Sequence, residues 1–315
     1  MPLVTVRARP PSRRLRRSPE QARVQPAPAP PGLRFDQLAR TSLHRWWRPL
    51  VGTLALVCAY WIFQFILARP LTAVLRAVLG PNSINIALTM GLPAALLAAR
   101  WVQRRPVGSL SSVAGRLRRH WLLLCGGLAL VYLLPLFITW AILLDVSAAA
   151  PTQGAGWVGW QRFLLTGSVI ALIGAFEAAA QEYVFRGWLP QAFGAYLRSP
   201  WPGIIVSSAL FSLIHPAAYA SAWAVVQYTL FGVVFAVLTI RTGGLEAALA
   251  LHTIHNWALL LPAAAAGLVD TPAPAAVDWA AVPWQRILTG EALALAVFTA
   301  LVLRLATRRR IATTT

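Results

Sequence analysis

The sequence predicts an all-α, polytopic membrane protein with about eight transmembrane helices, and three observations carry that reading. Hydrophobic residues make up 58% of the 315 positions and charged residues only 12%, with a mean hydropathy of +0.62. In a soluble domain about a quarter of the residues would be charged. Apolar runs recur along the chain at lengths near the ~20 residues that cross a hydrocarbon core. The arginines flank these runs and form no basic domain, so the net charge of +19 reports topology and argues against a nucleic-acid partner.

Residues 1–45, rich in Arg and Pro and containing PAPAPPG, show no apolar periodicity. They are expected to be a disordered cytoplasmic arm with a stiff proline-rich linker, lying near anionic lipid or serving as a retention signal. The helical domain spans 46–306. Its expected spans are Leu50 to Leu67, Ile84 to Val102, Trp121 to Leu144, Phe163 to Leu189, Gly203 to His215, Trp223 to Ile240, Leu245 to Val269 and Leu288 to Leu305. The fifth is short, and Pro216 follows it at once, so it is expected to kink or to extend irregularly toward Tyr219. Residues 307–315 form a basic tail.

Arginines crowd the N-terminal segment, the loop from Arg100 to Arg119 and the C-terminus, and they are missing from Ala148 to Gly159 and Asp270 to Val282. The positive-inside rule then puts both termini in the cytoplasm, as an even number of spans requires. The first apolar run is too long for a signal-peptide core, so no cleavable leader is expected. Cys58 and Cys125 fall inside spans and read as packing residues. A chain this rich in arginine and free of lysine looks bacterial, which places it in the inner (cytoplasmic) membrane.

The chemistry has to come from nine acidic residues and five histidines. Glu177 and Glu182 lie within the fourth span, while Glu246 and Glu291 lie near the ends of others. An ionised side chain at mid-bilayer costs roughly 2.5–3.5 kcal/mol on insertion scales, so Glu177, Glu182 and Arg186 together would cost up to about 10 kcal/mol unpaired. In QEYVFRG (181–187), Glu182 and Arg186 stand four apart in the favourable order for an ion pair. That pair by itself can simply lock the helix. Glu177 and Gln181 are also four apart, which lets the Gln181 amide donate to the Glu177 carboxylate.

Two further pairs at the same spacing are Phe211 with His215 in FSLIHP and His252 with Asn256 in HTIHN. A lone histidine on an apolar helix is more often a hydrogen-bonded core residue than a catalyst. Three polar clusters on neighbouring helices change the reading, because carboxylate, imidazole and carboxamide together are what hydrolysis in a dry site requires. One difficulty is depth: Glu182 sits toward one end of its predicted span, and His215 toward the opposite end of a short one.

In these three motifs the sequence resembles the CPBP family of intramembrane proteases, also called the type II CAAX prenyl endopeptidase or Abi family. The family pattern is two adjacent glutamates with an arginine four residues after the second, then Phe-x-x-x-His, then His-x-x-x-Asn/Asp. The resemblance covers roughly Phe163 to Leu260 and implies an endopeptidase that uses an activated water to hydrolyse a membrane-associated peptide or protein. It implies roles for Glu182 paired to Arg186, for His215 beside the water, and for His252 with Asn256 at the oxyanion. It also implies a peptide bond near a membrane-associated C-terminus or leader.

The departure is Gln181, which stands where the family has its first glutamate, the residue thought to activate the water. A carboxamide has no useful basicity. Three readings follow: Glu182 acts as the base, Glu177 supplies the carboxylate from one turn earlier, or the protein is a non-catalytic relative that binds peptides or lipidated partners. No metal or other cofactor is expected. His215, His252 and Glu182 form the alternative ligand set for a divalent ion such as zinc, yet no His-Glu-x-x-His spacing supports it, and Asn256 suits oxyanion binding better. His255 reads as a flanking packing residue. A rival from another class is a transporter whose buried Glu, Arg and His residues relay protons, against which stands the lack of an inverted repeat.

Overall fold

The computed structural model describes residues 26–79, 86–143, 156–215, 219, 221–267 and 284–315. Among these residues helices are the regular secondary structure, joined by turns and coil, with two isolated bridges, Arg34 with Thr314 and Ser112 with Gly244. Eight helices appear in the order the apolar runs predict. They are α1 (Arg48–Leu79), α2 (Ala87–Val102), α3 (Arg119–Leu143), α4 (Trp160–Gly194), α5 (Trp201–Leu213), α6 (Ala222–Thr242), α7 (Glu246–Ala265) and α8 (Trp284–Arg308). Five of these contain stretches long and apolar enough to cross a membrane: α1, α4 and α6 throughout, Arg119–Ile138 of α3 and Ile287–Arg308 of α8. Helices α2 and α5 are shorter, and in α7 the apolar run is diluted by Glu246, His252, His255 and Asn256. Leucine, isoleucine and tryptophan side chains such as Leu54, Trp61, Leu123, Leu130, Leu172 and Ile205 stand exposed on the outer faces, as a lipid-facing surface requires.

Two helices run further than their apolar patterns. Helix α1 continues past Leu67 to Leu79, although Pro70 lacks an N–H and would clash in a regular helix. A π turn at Gln64–Ala68 directly precedes that proline and takes up the misfit. Helix α4 likewise passes Leu189 to reach Gly194 through a π turn at Tyr183–Trp188, just ahead of Pro190.

Residues 26–45 depart from the expected unstructured arm, whose first 25 residues lie outside the described ones. Phe35, Asp36 and Leu38 are fully buried. Arg40 Nε donates to the Gly194 carbonyl at 2.7 Å and Arg34 pairs with Asp36 at 2.9 Å. Gly194 has to be glycine here, because a Cβ would lie 1.9 Å from the Asp36 carbonyl oxygen. The other end of the chain closes the same layer: Gly32 N donates to Thr315 O at 2.9 Å, and Arg118 Nη1 to Ala312 O at 2.9 Å. Residues 26–45, 103–118 and 309–315 therefore share one face of the bundle, called the terminal face below.

The terminal face is polar inside. Arg118 grips Glu246 at the start of α7 with Nε–Oε1 2.9 Å and Nη2–Oε2 2.7 Å, and its backbone N–H adds a third bond at 2.8 Å. Arg105 is fully buried among Gln103, Ser109 and Gln191, and burial pulls its guanidinium down to about 9. Farther in, Trp188 of α4 is buried against α1, where its ring passes over Gly52 and its Nε1 donates to Thr53 Oγ1 at 3.0 Å. These contacts fix α4, the helix that carries QEYVFRG.

Candidate active site

The depth difficulty disappears once the helix ends are known. Because α4 runs on to Gly194, Glu182 lies roughly 18 Å below the terminal face at about 1.5 Å per residue, and His215, counted along α5 from Trp201, lies roughly 21 Å below it. Helix α7 starts near the same face, at Glu246, and carries His252 into direct contact with Glu182.

Glu182 is fully buried, and one of its oxygens carries two contacts. Oε1 accepts from Arg186 Nη1 at 3.1 Å within α4 and from His252 Nδ1 of α7 at 2.8 Å. Arg186 also lies over the Phe211 ring at 3.9 Å and over Phe235 at 5.1 Å, so its charge is shared between a carboxylate and two aromatic faces. Its Nη2 and Glu182 Oε2 are buried with no hydrogen-bond partner. The π turn starting at Tyr183 sits between the two members of this pair, a placement π turns often have at functional sites.

The hydrogen bonds assign both histidine tautomers. A carboxylate already receiving Arg186 can only accept, so His252 Nδ1 carries the proton and Nε2 keeps its lone pair. His215 Nδ1 faces the Phe211 carbonyl at 2.8 Å, and a carbonyl likewise only accepts, so Nε2 of His215 is also left basic. The His215 ring is stacked on Tyr228 with centroids 4.0 Å apart and packed edge-on against Phe211 at 4.7 Å. Phe211 in turn meets the His252 ring at 5.9 Å, so its ring touches both imidazoles.

These side chains line a cavity of about 330 Å³ between α5, α6, α7 and α8, which His215, Tyr228, Phe235, His252, Asn256, Gln227 and Glu291 share. Of the residues singled out in the sequence, the structure brings together His215, His252 and Asn256, with Glu182 and Arg186 directly behind His252. Gln181 and Glu177 are not among the residues lining this cavity. Gln181 faces an apolar cavity of about 270 Å³ formed with α1 and α2, its Nε2 donates to Glu177 Oε1 at 3.5 Å, and its Oε1 is buried without a partner. Glu177 therefore stands apart from the imidazoles, because α4 turns its 177/181 edge toward α1 and α2 while Glu182 points to α7. His255, the second histidine of HTIHN, bonds to Tyr132 of α3 through Nδ1 at 3.2 Å.

The motifs did not point to Glu291 and Gln227. Glu291, on α8, is 1% exposed and accepts from Gln227 Nε2 at 2.6 Å. The available sequence signal was a single acid set into the last apolar run.

Among the described residues, no group of three or more His, Cys, Asp and Glu side chains is placed to hold a metal ion. Within the ligand trio suggested by the sequence, Glu182 Oε1 and His252 Nδ1 are bonded to each other and Arg186 shares that carboxylate.

Residues 160–258 match the family model described as type II CAAX prenyl endopeptidase Rce1-like, and that interval contains all three motifs. The uncharacterized protein YyaK of Bacillus subtilis (strain 168) is 25% identical over 181 residues, which cover 56% of this chain and 59% of the relative. The chain thus matches a little over half the length of that curated relative. No solved structure matches.

Proposed function

We propose, from the premise that residues 160–258 carry the Rce1-like pattern, that this chain is an intramembrane endopeptidase hydrolysing a peptide bond of a membrane-associated peptide or protein. The observation that carries the reading is the 2.8 Å contact between Glu182 Oε1 and His252 Nδ1. It supplies a base at a site where Gln181 cannot.

Water enters the cavity and donates its two hydrogens to the free Nε2 atoms of His252 and His215, which turns an oxygen lone pair toward the substrate carbonyl. His252 Nε2 takes one proton as the oxygen attacks, and the ionised Glu182 behind it stabilises the imidazolium. Asn256 donates to the carbonyl oxygen as charge builds there. The imidazolium then returns its proton to the leaving nitrogen as the C–N bond breaks, giving a carboxylic acid, which keeps the water's second proton, and an amine. The scheme is written without a metal.

The protein is proposed to act as a multi-pass protein of a bacterial cytoplasmic membrane with the arginine-rich terminal face in the cytoplasm. The test compares peptide termini in the membrane proteome of cells carrying the wild type and a His215→Ala/His252→Ala double mutant at matched expression. New termini in the wild type alone are the expected result. Identical termini in both strains would remove the protease reading and leave a peptide-binding relative.

A further inference from the structure

Among the described residues, the fully buried carboxylates come with arginines, with one exception. Asp36 has Arg34, Glu246 has Arg118 and Glu182 has Arg186. Glu291 is as deeply buried as these, at 1% exposed, and its partner is the neutral amide of Gln227. No salt bridge reaches it among the described residues, and its second oxygen makes no hydrogen bond to them. An ionised carboxylate out of water without a counter-charge is costly, and one way to remove the cost is for a cation to arrive from outside.

The setting supports such an arrival. Glu291 does not sit in solid packing but on the wall of the cavity that holds His215, His252 and Asn256. Tyr228, Phe231 and Trp284 line the same space, so a cation entering it meets aromatic rings on the way to the carboxylate. Gln227 holds Oε2 at 2.6 Å, which leaves Oε1 as the free acceptor. Tyr228 is next to Gln227 in the chain and stacks on His215, so the carboxylate is tied through one helix to the catalytic imidazole.

We infer that Glu291, positioned by Gln227, forms a subsite for a positively charged group of the substrate, a lysine or arginine side chain or a free amine close to the bond being cut. This rests on the reading of the cavity as a hydrolytic site. It makes the preferred substrate a membrane segment with one basic group near the scissile bond. In a lipid-facing enzyme that is a selective feature, because most segments passing the cavity carry none.

The binding test does not depend on cleavage. Purified full-length protein is titrated calorimetrically with n-butylguanidinium and with n-butylurea, which share shape and differ in charge. The guanidinium is expected to bind about tenfold tighter or more, the scale of a desolvated charge pair. Glu291→Asp should keep that preference and Glu291→Gln should abolish it. Equal binding of the two probes by the wild type overturns the subsite, even if Glu291→Gln fails to fold.

Cleavage separates this failure from that of the protease reading. If the wild type produces termini that the His215→Ala/His252→Ala mutant lacks, basic residues should be enriched beside them, and Glu291→Gln should cut with that enrichment lost. Termini without enrichment would reject the subsite and keep the protease. Charge-selective binding without any termini would keep Glu291 as a cation-binding group, reject the protease and overturn the subsite's role beside a scissile bond.

Discussion

His252 Nδ1 lies 2.8 Å from Glu182 Oε1, across 70 positions of sequence and from one helix to another. The contact turns two separate motifs into a carboxylate–imidazole unit and fixes which ring nitrogen can take a proton. It also commits Oε1 of Glu182 to His252 and Arg186, so in the proposed scheme the carboxylate acts through the imidazole.

Replacing Glu182 by Gln should therefore act through His252. The amide removes the charge that stabilises the imidazolium and permits the other tautomer, so turnover should fall by about 10²–10⁴-fold with substrate affinity little changed. His252→Ala should fall at least as far, and the double mutant no further than the worse single mutant. Losses that simply multiply would show that the two residues act independently.

Gln181→Glu should not raise cleavage. The side chain points into the cavity shared with α1 and α2, and its Nε2 is the donor to Glu177. The substitution sets a second carboxylate beside the first and leaves both without that donor, at a cost of about 1–3 kcal/mol. A lowered unfolding midpoint with unchanged turnover is expected. A gain in turnover would return the base to position 181 and put the imidazole scheme aside.

Much of the architecture could be read from the sequence. Each apolar run became a helix because hydrocarbon length and helical rise leave few alternatives. The pairs at spacing four, Glu182 with Arg186 and His252 with Asn256, follow from one helix each. The ends could not be read, because the continuation of α1 past Pro70 and of α4 past Pro190 depends on π turns, which have no simple periodic signature. Burial of residues 26–45 depends on Gly194 and Thr315, far away in sequence. The same limit hid Glu291, which belongs to the cavity only through the packing of α8 on α6.

Chelation addresses the ligand question directly. Among the described residues, no three His, Cys, Asp or Glu side chains are grouped to hold a metal ion. Cleavage should persist after prolonged treatment with EDTA or 1,10-phenanthroline. A large loss that returns with added zinc, and not with magnesium, would make the Nε2 atoms of His215 and His252 metal ligands and would contradict the water scheme.

Arg118→Ala tests what keeps α7, and with it His252 and Asn256, at the right depth. Arg118 holds both oxygens of Glu246 and donates further to the Thr242 carbonyl at 3.0 Å and the Ala312 carbonyl at 2.9 Å. Removing it leaves a fully buried carboxylate with only a backbone N–H, and losses from breaking such pairs run to about 3–5 kcal/mol. The unfolding midpoint should drop markedly, and Arg118→Lys should recover little, since a single ammonium cannot span both oxygens. Arg118→Ala/Glu246→Leu should recover more than the lysine, because it removes the stranded charge as well as its partner. If the double mutant is no more stable than Arg118→Ala, the loss lies in the carbonyl contacts to Thr242 and Ala312, and the terminal face is held by its backbone bonds rather than by the ion pair.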